Sequence, residues 1–413
     1  MIAREKLLEF VVEKELLDLA KKLIQIPSLE EEEGELAEFL TDYMRKNGLD
    51  VEIQEVENGR VQPIGRLKGS GGGQSLLFNG HMDTDVIFLG AKDPFVPKIR
   101  GRRLYGHGIL NMKCGVAAML IAAAALNKAG VRLKGDLIVT PVVGEIQGGI
   151  GTKCLIKHGI KADMAVVTEP FQEWVTTTHA GVMEIAITTI GKSQHISAKE
   201  KGVDAFEKML KIIAALRNMT FTYTPDPRLP GLPRMIIGSI IGGHGEDYGL
   251  NGAAFLIDKC TIIVDIRFLK GMAPDREIEK LLEDLKLKDP ELNYEMHVAP
   301  EDYSLPGMPF KNFRLRQPPQ DLPVNSPIVK TVAKNHEEVT GRKTIVGHIP
   351  SENTLHTLSY AGADDALLTA AGIPALCYGP IGWWDGSEQW ADIDSMMTVA
   401  KTLALTAYDV CTG

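Results

Sequence analysis

Cysteine is scarce in this chain: five residues in 413 (Cys114, Cys154, Cys260, Cys377 and Cys411), odd in number and never spaced as CxxC. That pattern excludes a disulfide framework or a cysteine-built zinc cluster and suits reduced structural thiols. Basic clusters are missing too. Lys+Arg 45 against Asp+Glu 54 leaves a net charge of −9, and no block of lysine or arginine is present to neutralise a run of phosphates, so nucleic acid is not an expected partner. The longest apolar stretch, around Val116 to Leu126, is too short to cross a bilayer, and the opening MIAREKLLEFVVEKELLDLAKKL is charged and amphipathic rather than a signal peptide. A cytoplasmic protein without a membrane partner is expected.

What is present is the composition of a folded globular protein, 44% hydrophobic and 24% charged, at a length that favours two domains. Ala3 to Gln25 and Leu29 to Gly48 repeat apolar residues at helical spacing, with Ser28 as a candidate N-cap for the second helix. The apolar runs Ser75–Asn79, Asp136–Val143 and Asp163–Val167 read as buried strands that end on polar or acidic residues, with an Ala-rich helix from Gly115 to Ala129 among them. Alternating strands and helices predict an α/β sheet with its site at the strand ends.

The middle of the chain reads differently. Val182–Ile190, Met235–Ile241 and Cys260–Phe268 are predicted strands, while Asp204–Met219 and Arg276–Leu287 are predicted helices. This order suggests a compact α+β unit of ferredoxin-like type, with one sheet face covered by two helices. Tyr303–Pro327 reads as the return crossing, followed by a helix at Pro327–Thr340 and a short strand at Ala375–Tyr378. The expected division is a larger domain from 1–182 and 306–413, with the smaller domain, 183–305, inserted in it.

Seven stretches carry candidate chemistry: Gly80-His-Met-Asp-Thr84, Tyr105-Gly-His-Gly-Ile-Leu-Asn-Met-Lys113, Val143-Gly-Glu-Ile-Gln-Gly-Gly-Ile-Gly-Thr152, Val167-Thr-Glu-Pro170, Gly191-Lys-Ser-Gln-His195, Val264-Asp-Ile-Arg267 and Tyr378-Gly-Pro-Ile-Gly382. In these residues and this order, nearly the whole chain resembles the M20 family of metallopeptidases and amidohydrolases, which includes acetylornithine deacetylase, succinyl-diaminopimelate desuccinylase and the glutamate carboxypeptidases. The resemblance implies that the larger domain is the catalytic metal-binding domain and the smaller a lid or dimerisation domain, with two zinc ions sharing a site and a bridging water activated by a glutamate to hydrolyse an amide. Position by position, it implies His81 as a metal ligand, Asp83 as the carboxylate orienting it, Glu145 as general base and Glu169 as a further ligand. The bridging aspartate, however, falls on Asn111, the second metal's glutamate on Ile146, and its histidine on Asp385.

These departures have unequal consequences. Asn111 offers one neutral carbonyl oxygen where a carboxylate offers two anionic ones, and Ile146 offers no donor. The expectation is therefore one weakly held divalent ion per chain, manganese, zinc, cobalt or iron, on His81, Asn111 and Glu169, with Asp385 a candidate fourth ligand and His107 a candidate replacement. In the smaller domain, the resemblance implies that His195 acts catalytically at a partner subunit's site and that Arg267 binds a substrate carboxylate. Trp383 and Trp384 are candidates for stacking on a planar, carboxylated small molecule. The expected function is metal-dependent hydrolysis of the amide of an N-acyl amino acid or dipeptide by a homodimer or larger homo-oligomer. The alternatives are removal of an amino group from an electron-poor aromatic acid, and a noncatalytic binding protein on the same scaffold.

Overall fold

The structure is a computed structural model, and it describes residues 4–87, 89–250, 253–301, 313–348 and 358–413. The chain divides into two units, Met1–His179 with Gln320–Gly413, and Ala180–Pro319. The return to the first unit lies later than the expected 306 because Arg316–Gln317 still pairs with the Gly181–Ile190 strand of the second.

The first unit is built on an eight-stranded mixed sheet. Its centre is parallel: Leu137–Val142, Leu76–His81, Met164–Val167 and Ala375–Cys377 lie side by side in that order, each fully buried. Sequences such as Leu-Ile-Val-Thr-Pro-Val, apolar on both faces, suit a position covered by helices on both sides. The hairpin Asp50–Glu57 and Arg60–Leu67, which alternating apolarity alone did not reveal, extends one edge antiparallel.

Behind the sheet runs the Cys114–Lys128 helix, buried on nearly every side, with the C-terminal Ile393–Thr412 helix packed on it. The helical run Ile109–Lys128 is long and apolar enough to span a membrane, contrary to the shorter stretch read from sequence, but 94% of its apolar window is buried inside the protein. Ser28 caps no helix. Its hydroxyl donates to Met82 O at 2.7 Å, and the helix begins later, at Gly34. The bond instead fastens the chain before that helix to the loop after His81. A small four-stranded sheet pairs Gly382–Asp385 with Glu388–Asp392, and the latter with Arg103–Tyr105.

In the second unit, Gly181–Ile190, the Ala205–Asn218 helix, Arg234–Gly243, Lys259–Phe268, the Pro274–Lys288 helix and Asn293–Val298 follow one another as βαββαβ. Asp204 caps the first helix, its carboxylate accepting from the amides of Phe206 and Glu207. Both helices bury apolar faces on one side of an antiparallel sheet whose core includes Ile185, Ile187, Met209, Ile212, Ile262 and Ile278. The Arg234–Gly243 strand lies at the edge of this sheet. Part of the expected Tyr303–Pro327 crossing falls outside the described residues.

Candidate active site

The parallel strands deliver the site at their C-terminal ends. His81 closes Leu76–His81, and Glu169 follows Met164–Val167 by two residues. Glu145 sits in the turn after Leu137–Val142, and Asn111 lies between Gly108 and the buried helix. Close backbone approach brings these pieces together: a Cβ on Gly115 would lie 1.9 Å from Thr168 O, so only glycine lets the helix reach the Glu169 segment.

Around His81 Nε2 lie Asn111 Oδ1 at 3.0 Å, Glu169 Oε1 at 3.4 Å and Glu145 Oε2 at 3.9 Å. His81, Glu145 and Glu169 are all buried, and one donor atom from each lies within 4.8 Å of the others. Ligands about 2.0–2.2 Å from a tetrahedral divalent ion stand roughly 3.4 Å from one another, so this nitrogen-and-oxygen set fits a cation. His81 Nδ1 donates to the Asp83 carbonyl oxygen at 2.8 Å, which turns Nε2 towards the other donors. Burial alone would lower the pKa of His81, but Asp83, Glu169 and Glu145 outweigh it and raise it well above the ordinary value. Glu169 is raised, chiefly by burial.

Asp83 is the fastening between strand and turn. Its two carboxylate oxygens accept from Glu145 N at 3.1 Å and Ile146 N at 3.0 Å. Burial works against its charge, yet His81 and those amides hold it below the ordinary carboxylate range. The turn is anchored from behind by Arg60, which donates to Glu33 Oε1 at 2.5 Å and to Gln147 Oε1 at 2.7 Å. Ile146 contributes only its backbone amide to this arrangement.

Asp385 stands apart from this group. It pairs with Glu388 at the exposed end of its hairpin, so the fourth-ligand expectation is corrected. The hairpin residue that packs against the Asn111 loop is Gln389, 2% exposed, whose Oε1 accepts from Gly108 N at 3.0 Å. His107 is also committed elsewhere: its Nε2 donates to Asp85 O at 2.8 Å and its ring meets Phe95 edge-on. Trp383 and Trp384, with ring centroids 4.9 Å apart, do line a cavity of about 140 Å³ together with Asn111, Glu145, Glu169 and Phe171.

In the second unit, His195 is exposed and bonded to Ser197 Oγ at 2.8 Å. Arg267 is already held in a two-pronged pair by Asp265, at 2.7 and 2.8 Å. That pair fixes the guanidinium and uses two of its five N–H donors.

Sequence reasoning missed several acidic neighbours. Asp364 accepts from Thr152 Oγ1 at 2.7 Å and is pushed up to about 8, first by burial and then by Glu145. Asp365 accepts from His179 Nε2 at 2.8 Å and Gln320 Nε2 at 3.0 Å. His179, Asp365 and Cys377 form a second buried group, but hydrogen bonds from His179 and Gln320 already occupy its carboxylate. Adjacent acids opening the otherwise apolar Asp364–Ala370 helix were the available signal.

A model of peptidase family M20/M25/M40 matches residues 77–409. The chain belongs to that family. It is 26% identical, over 431 aligned residues, to the N-formyl-4-amino-5-aminomethyl-2-methylpyrimidine deformylase of Halalkalibacterium halodurans, with 96% of this chain and 95% of the relative covered. The acetylornithine deacetylase of Aliivibrio salmonicida is 27% identical over 316 residues, 74% of this chain and 77% of the relative. The solved M20 family metallo-carboxypeptidase Sso-CP2 of Sulfolobus solfataricus shares the fold, with a TM-score of 0.74 at 16% identity over 95% of this chain and 98% of that one. The chain is thus an M20-type hydrolase acting on carbon–nitrogen bonds, from a metal-dependent family.

Proposed function

We propose that this M20 enzyme hydrolyses the amide of a small N-acylated amine, preferring a planar substrate, with one loosely held divalent cation per chain on His81, Asn111 and Glu169. The observation that carries the reading is the donor set itself: three side chains, Asn111, Glu169 and Glu145, converge on His81 Nε2, and by the family resemblance Ile146 takes the position of the second cation's carboxylate. When bound, the cation supplies Lewis acidity, polarising the scissile carbonyl and making water a better acid. Glu145 takes the proton from the attacking water and passes it to the leaving amine. Asp83 holds Glu145 and His81 in register through its backbone and side-chain bonds. Trp383, Trp384 and Phe171 exclude water and offer flat faces to a ring, consistent with the pyrimidine named for one relative.

Replacing Glu145 with Gln tests the assignment. Turnover of the best substrate in a panel of N-formyl and N-acyl amines, N-acyl amino acids and dipeptides should fall roughly 10²–10⁴-fold, with manganese affinity and melting temperature kept. Loss below tenfold removes Glu145 as the base. The aromatic lining also supports a second reading, hydrolytic removal of an amino group from an electron-poor aromatic acid. Ammonia release from aminoaromatic acids, with no cleavage anywhere in the acyl panel, distinguishes it.

The assembly we infer is a homodimer joined through the second unit. Its edge strand Arg234–Gly243 exposes Ile236 at 63% and Ile240 at 55%, an apolar edge that a second copy of the strand would cover. His195, exposed in the same unit, is then free to act at the partner's site.

A further inference from the structure

We propose that Gln172 is a positioning residue for the substrate ring: its side chain ties the segment carrying Phe171 to the hairpin carrying Trp383 and Trp384, and so sets the spacing of the cavity's aromatic walls. This rests on the planar-substrate reading above. Gln172 Nε2 donates to Gly382 O at 2.9 Å. One end of that bond is a single residue from Phe171 and the other a single residue from Trp383, and all three aromatic side chains line the same cavity of about 140 Å³.

The backbone at Gln172 is unusual for the residues it carries. Trp174 N donates to Phe171 O at 2.9 Å, closing a turn whose two central residues, Gln172 and Glu173, have φ of 60° and 62°. Two successive positive φ values belong to turns that glycine, asparagine and aspartate favour, and longer side chains are held there at a cost in backbone strain. The bond to Gly382 gives the Gln172 side chain a task that glycine could not perform. The hairpin has use for it. Gly382–Asp385 is the edge strand of its sheet, paired on one side only, and Gln172 supplies a hydrogen bond from outside the sheet. The approach to the hairpin is fixed separately: Glu173 N donates to Gly379 O at 2.8 Å, and Ile381 N to Ser395 Oγ at 2.8 Å. Those bonds hold the chain as far as Ile381, and Gln172 carries the fastening onto the strand that bears the tryptophans. Without its side chain the aromatic walls can shift while the fold stays intact, and a flat ring, which depends on close contact with them, loses most.

The test is calorimetric titration of N-benzylformamide, which carries a ring, and N-butylformamide, which carries a chain, into the full-length protein in the presence of Mn²⁺. Gln172→Ala should weaken binding of the ring compound about 3–10-fold, the worth of one hydrogen bond, and that of the chain compound less than about twofold. Gln172→Glu, which keeps the length of the side chain and loses its N–H donors, should do the same. Ring binding unchanged in either variant, or equal weakening of both compounds, overturns the inference and leaves the planar-substrate reading standing. A wild-type protein that binds the two compounds alike, or binds neither, overturns both. Should Gln172→Ala fail to fold, Gln172→Gly, which suits a φ of 60°, decides by the same two affinities.

Discussion

Asp83, fully buried, and Glu184, half-buried, show how differently two carboxylates can be treated. Asp83 stays charged because two backbone amides and His81 meet it. Glu184, in the second unit, accepts from Leu315 N at 3.2 Å, yet burial, its largest influence, pushes it up from 4.5 to about 7. The unfolded chain releases this proton near pH 4.5 and the folded chain only near 7, so between those values the folded state holds more protons. Stability should therefore fall as pH rises through that window and level off above it, by up to about 3 kcal/mol. Glu184→Gln keeps the acceptor oxygen and should remove the slope, leaving the variant more stable than wild type at pH 8. Parallel melting curves of the two proteins from pH 5 to 8 would contradict this.

At the scale of elements, the helix Cys114–Lys128 and the strands it covers set the distance between Asn111 and Glu169. Gly115 decides how close they come. In an exposed helix, Gly→Ala stabilises by about 1 kcal/mol, whereas here the added methyl would overlap Thr168 O, at an overpacking cost of about 1–3 kcal/mol or more. The overlap should win. Gly115→Ala is expected to lower stability by about 2 kcal/mol in urea titrations and to weaken cation binding through Glu169; a more stable variant would show that helix and strand can part without loss.

The same elements explain what could be read from the sequence. Continuous apolar strands such as Leu137–Val142 announce themselves, and the polar residues at their ends led to His81, Glu145 and Glu169. Short strands such as Arg103–Tyr105 and Gly382–Asp385 carry too few residues for a period. Their pairing is fixed only by tertiary contact, so the sequence does not show that Gln389, and not Asp385, packs against the Asn111 loop. His179 and Asp365 were missed for a related reason: each acquires its partner from a distant segment.

For the whole molecule, the two units keep separate cores, and the proposed homodimer would be joined through surface the second unit leaves apolar. Ile236→Lys combined with Ile240→Lys places two charges on that edge and should convert a dimer to a monomer in light scattering behind size exclusion, without unfolding either unit. A dimer of undiminished stability would assign the interface to another face. The account as a whole turns on a site with enough charge for one cation and too little for two. Its most direct test is metal content by elemental analysis after incubation of the full-length protein with excess Mn²⁺ or Zn²⁺ and rapid desalting: about one ion per chain, lost on prolonged dialysis, is the expected result, and two ions per chain that survive dialysis would contradict it.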